Sequence, residues 1–168
     1  MIAAAVAILL HDGANGAGLE ALFIHRAERA GDTWSGQIAF PGGRREPSDA
    51  DLRATAIRET REEIGVDLTA AEALGVLDDL YPRTPVLPPV VVRPFVFGLL
   101  ERPPITIDEE VQDSFWVSLH DLTAPGARGE VRSLPAYVVG KHTIWGMTER
   151  ILSNLLSLAK STSLLDNI

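Results

Sequence analysis

Glu59, Glu62 and Glu63 crowd into the run "RETREEIG", shortly after the glycine pair Gly42–Gly43 and the arginine pair Arg44–Arg45. Carboxylates packed this tightly repel one another unless a cation sits between them. Hard oxygen ligands suit Mg2+ or Mn2+, which prefer carboxylates together with substrate phosphates. Paired glycines let the backbone turn sharply and approach a ligand closely, so a carbonyl there, such as that of Gly43, can join the carboxylates. Arg44 and Arg45 suit contact with an anionic substrate. Together these residues describe a metal–phosphate site better than any one of them does.

The element that must position them is a helix, predicted from about Ala50 to Ile64. Ser48 or Asp49 can cap its start and Gly65 ends it. On such a helix Glu59 and Glu63 are i, i+4 neighbours about 40° apart, with Glu62 on the flank. Ile57 and Ile64 point away from that pair and can anchor the helix to a sheet. Arg58 precedes Glu62 by one helical turn and can pair with it. A solvated, ion-paired helix accounts for Arg53, Arg61 and Glu62. It accounts poorly for Glu59 and Glu63, whose like charges cost roughly 0.2–0.5 kcal/mol without a counter-ion.

The rest of the chain alternates strands and helices without internal repeats. Apolar residues dominate Ile2–Leu10, and "EALFIH", "QIAF", "ALGVLDDL", "VVVRPFVFGLL" and "SFWVSL" read as further strands. "LPAYVVG" and "KHTIW" read as a late hairpin, and a last helix begins near Thr148 with Ile151, Leu152, Leu155 and Leu158 on one stripe. The mixed order, with one helix in the middle and one at the end, predicts an α/β sandwich. At 168 residues one domain is the default, set here at residues 1–160, with 161–168 as a C-terminal tail. The chain has no cysteine, which excludes disulfides and thiolate metal sites. A net charge of −8 argues against nucleic-acid or anionic-membrane binding by long-range attraction. The opening "MIAAAVAILL" is too short to span a bilayer, and the expected address is cytoplasmic. His11 adjoins a turn and reads as solvated; Trp116 and Trp145 read as core.

The segment resembles the signature of the Nudix hydrolases, G-x5-E-x7-R-E-U-x-E-E-x-G-U with U aliphatic. Arg58, Glu59, Glu62, Glu63, Gly65 and Val66 match directly. Thr60 stands at an aliphatic position, and Ala50 falls where the earlier glutamate belongs, so Asp49 or Asp51 is the expected replacement. A wider stretch, "WSGQIAFPGGRREPSDADLRATAIRETREEIG", is similar to the coenzyme A pyrophosphatase branch, which shares the "FPGG" and the longer loop.

The resemblance implies a Nudix-type α/β/α sandwich with a mixed β-sheet. It also implies a Mg2+- or Mn2+-dependent enzyme that cleaves coenzyme A or acyl-CoA to 3′,5′-ADP and 4′-phosphopantetheine or its acyl form. Glu59 and Glu63 are then the metal ligands, with Glu62 nearby and Gly43 assisting. A carboxylate outside the helix completes such sites or acts as base, and Glu109 or Glu110 is the candidate. Arg58 orients a helix carboxylate. Gly42, Arg44 and Arg45 face substrate, and Trp34 has the option of stacking on a base against the alternative of loop packing. The alternatives are a Nudix hydrolase of ADP-ribose, dinucleotides or nucleoside triphosphates, and a non-catalytic nucleotide sensor. The expected partner is a small nucleoside diphosphate derivative, with a homodimer as one option for assembly.

Overall fold

The apolar opening of the chain forms strand β1 (Ile2–Gly13), and its side chains alternate between two cores. Ala5, Ala7 and Leu9 enter one; Ala4, Ile8 and Leu10 enter the other. Such two-sided burial is what a continuous apolar run at the centre of a sheet requires. The computed structural model describes residues 1–13, 18–30, 36–83 and 88–162.

The remaining elements are β2 (Gly18–Arg26), β3 (Ile38–Ala39), β4 (Gly42–Arg44), α1 (Leu52–Ile64), β5 (Glu72–Val76), β6 (Val90–Leu99), β7 (Val111–Ser118), α2 (Leu119–Thr123), β8 (Arg128–Val131), β9 (Leu134–Val139), β10 (His142–Trp145) and α3 (Gly146–Ser161). The main sheet runs β3-β2-β1-β6-β5, with β4 also on β1 and β7 on β2. It is mixed: β6 lies parallel to β1, whereas β2 and β4 lie antiparallel to it. Helix α1 packs on one face through Ala56 and Ile64. Helix α3 covers the other through Ile151, Leu152, Leu155 and Leu156, beside the three-stranded sheet β10-β9-β8. The architecture is the expected α/β arrangement, helices packed on both faces of a mixed sheet. Among the described residues no helix is long and apolar enough to cross a membrane.

Several expectations shift. Leu158 lies off the apolar stripe of α3 and is exposed, because Ala159 takes the inward position. His11 is not solvated: its Nδ1 lies 2.9 Å from Glu20 Oε1, and Arg102 grips the same carboxylate at 2.6 Å. Trp116 is only half-buried, with its ring edge-on to His11 and under the Arg102 guanidinium. The short elements β4, β8 and α2 carry too little periodicity to be read from sequence.

Candidate active site

Helix α1 starts at Leu52, two residues later than expected. Asp51 caps it, its Oδ1 accepting from Ala54 N at 2.8 Å. Asp49, one of the two expected caps, is used elsewhere. It is buried, accepts from Glu46 N and Thr55 Oγ1 at 2.9 Å each, and binds Arg58 Nε and Nη2 at 2.8 and 2.9 Å. The Arg58 guanidinium holds the Asp49 carboxyl far below the ordinary carboxylate range. Of the two aspartates considered as replacements for the earlier glutamate, Asp49 is thus the one that meets Arg58.

Arg58 joins the helix to its surroundings. Nη1 donates to Glu59 Oε1 at 3.0 Å and to Glu62 Oε2 at 3.2 Å, and Nη2 donates to the Arg44 carbonyl at 3.0 Å. Thr60 is fully buried at its aliphatic position and spends its hydroxyl on the Ala56 carbonyl at 2.7 Å. A buried threonine satisfied within its own helix behaves there as a small apolar residue.

Glu59 and Glu63 share a face and converge on β4. Glu63 is fully buried; Oε1 accepts from Gly42 N at 2.8 Å. Its Oε2 is buried without a hydrogen-bond partner, with Arg26 Nη1 at 3.8 Å. Burial pushes the Glu63 carboxyl up to about 8, against the pull of the Gly42 N–H and with repulsion from Glu59 added. Burial likewise pushes Glu59 up to about 6, opposed by Arg58 and reinforced by Glu62 and Glu110. Glu62 is half exposed, on the flank as expected, and holds Arg58.

The glycines work by size. Neither Gly42 nor Gly43 has a positive φ; both lie in β4, paired with β1. A Cβ at Gly42 would fall 2.3 Å from the Ala5 carbonyl oxygen, and one at Gly43 would fall 2.5 Å from Glu59 Oε1. The expected sharp turn is therefore replaced by close approach of the strand to β1 on one side and to the carboxylates on the other.

These groups open on a cleft of about 460 Å3. Arg26, Arg44, Gly42, Gly43, Glu59 and Glu110 are among its lining residues, and Val90, Val92, Phe40, Met147 and Ile151 add apolar surface. Of the two arginines after the glycines, only Arg44 reaches the cleft. Arg45 donates instead to the carbonyls of Asp49 and Ala50, at 3.0 and 3.1 Å through Nη2, and so braces the loop. Glu110 lines the cleft, whereas Glu109 is exposed and faces Arg29 at 3.6 Å. Trp34 lies outside the described residues. Arg26 escaped the sequence reading because it stands at the end of an ordinary strand, β2; only the fold brings it to Glu63.

The β6–β7 loop that carries Glu110 is tied to the end of α1. Thr106 N donates to the Ile64 carbonyl at 2.9 Å and Asp108 N to the Glu63 carbonyl at 3.1 Å. Gly65 leaves the helix in the left-handed region at φ 71°, where its missing Cβ also clears Thr106.

The site can take a divalent cation. The buried Glu63 Oε2, which accepts no hydrogen bond, and the Gly43 surface with no room for a side chain both fit a hard ion at this place. Among the described residues, no three carboxylate or imidazole side chains form a closed cage. An ion held here therefore draws on few protein ligands, as Mg2+ does when substrate phosphates complete its shell.

Comparison with known proteins agrees with this geometry. The NUDIX domain family matches residues 1–137. Mouse mitochondrial coenzyme A diphosphatase NUDT8 is 31% identical over 147 residues, covering 82% of this chain and 69% of that protein. Its human counterpart is 30% identical over 148 residues, covering 82% of this chain and 61% of that protein. The crystal structure of a MutT/nudix family protein from Enterococcus faecalis superposes with a TM-score of 0.67 at 19% identity, covering 95% of this chain and 62% of that one. With the family match spanning most of its length, the chain belongs to the Nudix hydrolase family.

Proposed function

We propose that the protein hydrolyses the diphosphate of coenzyme A or its thioesters, giving 3′,5′-ADP and 4′-phosphopantetheine or its acyl form. The observation that carries this reading is the convergence of Glu59 and Glu63 on Gly42–Gly43, beside the cleft that Glu59 and both glycines line. The likeness to coenzyme A diphosphatases over four fifths of the chain supports the substrate.

Nudix hydrolases use divalent metal ions. Here Glu59, Glu63 and the Gly43 carbonyl would hold Mg2+ or Mn2+, with Glu62 contributing from the flank. Such an ion neutralises the diphosphate oxygens and lowers the pKa of bound water. Arg44 and Arg26 add positive charge where the substrate enters. Water attacks one phosphorus while the bond from that phosphorus to the bridging oxygen breaks. The departing phosphate keeps the bridging oxygen. Glu110, in the same cleft, takes the proton released by water. Arg58 touches no substrate in this scheme; it fixes Glu59 and Glu62.

The test is a substrate panel with product identification: coenzyme A, dephospho-coenzyme A, ADP-ribose and NADH at one Mg2+ concentration. Coenzyme A should have the highest kcat/KM and yield 3′,5′-ADP. A tenfold preference for ADP-ribose or NADH would reassign the substrate. No turnover with any of them, with or without metal, would favour a nucleotide sensor.

A further inference from the structure

Two arginines distant in sequence lie near one another beside the cleft, each next in the chain to one of its lining residues, Pro82 and Ile151. Arg150, in the second turn of α3, is half-buried and donates from Nη1 to the Tyr81 carbonyl at 2.5 Å. That bond docks the Tyr81–Arg83 segment on α3 and brings Arg83 close to it. Burial, with repulsion from Arg83 added, pulls the Arg150 guanidinium below its ordinary value. Each arginine is the chain neighbour of a residue that lines the cleft: Arg83 of Pro82, Arg150 of Ile151.

Neither has a carboxylate within ion-pair distance among the described residues. The acid next to Arg150, Glu149, is buried and already taken by Arg128 Nη2 at 3.0 Å and Ser153 Oγ at 2.9 Å. The chain carries eight more acidic than basic side chains, yet these two cations stand together uncompensated. Like charges gathered beside a cleft are stabilised by an external anion. Arg150 keeps Nε and Nη2 for it, in the planar fork that suits phosphate.

We infer that Arg83 and Arg150 form a second anion subsite beside the cleft, for a phosphomonoester that the substrate carries apart from its diphosphate. This deepens the functional reading above and rests on it, because coenzyme A carries such a group on its ribose 3′-oxygen. The subsite would distinguish coenzyme A from dephospho-coenzyme A and ADP-ribose, which lack it.

The test is titration calorimetry at one fixed Mg2+ concentration with 3′,5′-ADP, 2′,5′-ADP and 5′-AMP. These probes are not diphosphate esters, so binding is read without turnover. The wild type should bind 3′,5′-ADP about tenfold or more tightly than 5′-AMP, the size of a charged hydrogen bond, and more tightly than 2′,5′-ADP. Arg83→Gln and Arg150→Gln should each reduce the preference over 5′-AMP to about threefold or less, with 5′-AMP binding itself little changed. Arg83 makes no bond to the described residues, so Arg83→Gln carries the test even where loss of the Tyr81 contact unfolds Arg150→Gln. The proposal is overturned by a wild type without the preference, by an Arg83→Gln protein that keeps it, or by tighter binding of 2′,5′-ADP. Coenzyme A turnover without any arginine-dependent preference would sink the subsite alone. An arginine-dependent preference without coenzyme A turnover would sink the reaction alone.

Discussion

Asp49 meets Arg58 with both carboxylate oxygens, Oδ1 to Nε at 2.8 Å and Oδ2 to Nη2 at 2.9 Å. Both residues are largely buried, so removing one partner leaves the other's charge without its main compensation. We expect Asp49→Ala to lose roughly 3 kcal/mol of stability, near the low end for such pairs because Arg58 keeps Glu59 and Glu62. Urea unfolding at neutral pH measures this. A loss below about 0.5 kcal/mol would place the pair among surface bridges of little consequence.

The same pair sets a pH dependence. The folded-state pKa of Asp49 lies below the ordinary 3.8, so the unfolded chain binds more protons between the two values. The stabilisation is complete above about pH 5 and is lost as pH falls through 3.8 toward the depressed value. Unfolding midpoints from pH 7 down to 3 should decline less steeply in Asp49→Asn than in the wild type. Parallel curves would contradict this.

Glu63→Gln separates chemistry from folding. The amide oxygen can still accept from Gly42 N, while the buried negative charge is gone. In chelator at pH 8 the variant should melt at or above the wild-type temperature, since burial disfavours the wild-type carboxylate. Turnover should fall by more than the tenfold to hundredfold typical of a residue that merely supports a ligand. Glu59→Gln should behave alike, and Glu62→Gln should lose less. Near-normal hydrolysis by both Glu59→Gln and Glu63→Gln at saturating Mg2+ would remove them from the site.

Alanine at the two glycines should give different failures. At Gly42 the new Cβ meets β1 backbone, which cannot yield, so Gly42→Ala should destabilise by about 1–3 kcal/mol or more. At Gly43 it meets the Glu59 carboxylate, which can swing aside. Gly43→Ala should therefore stay folded and lose most of its turnover. Thermal melts alongside initial rates distinguish the two, and equal stability losses would argue against the assignment.

The arginine pair after the glycines should also divide. Arg44→Ala should lower kcat/KM by about tenfold to hundredfold with little change in melting temperature. Arg45→Ala should lower melting temperature and affect kinetics less, because its bonds go to the Asp49 and Ala50 carbonyls. The reverse pattern would exchange their roles.

The helix carrying Glu59 and Glu63 was legible because its chemistry is local: carboxylate spacing, apolar backing and a terminal glycine all lie within one segment. The long strands were legible from their apolar runs. Arg26 and Arg150 were not, because each looks ordinary in its own element and matters only through a contact across the fold. The cap was expected at Ser48 or Asp49 and falls on Asp51, because all three are good caps by residue type. Only the position of Arg58 decides which one is withdrawn to bind it. The glycine pair was recognised as a close-approach element, but the turn it suggested is a strand, since β4's partner β1 is distant in sequence.

The hydrogen bonds from Thr106 and Asp108 to the last carbonyls of α1 fasten the Glu110 loop to the helix that bears Glu59 and Glu63. Two segments separated in sequence thus form one rigid frame. Opening the loop requires breaking the helix end, so its amide protons should exchange with solvent at rates set by α1 rather than by the surface around them. The carboxylates of the cleft then keep their spacing through thermal motion, and the site is arranged before any nucleotide arrives.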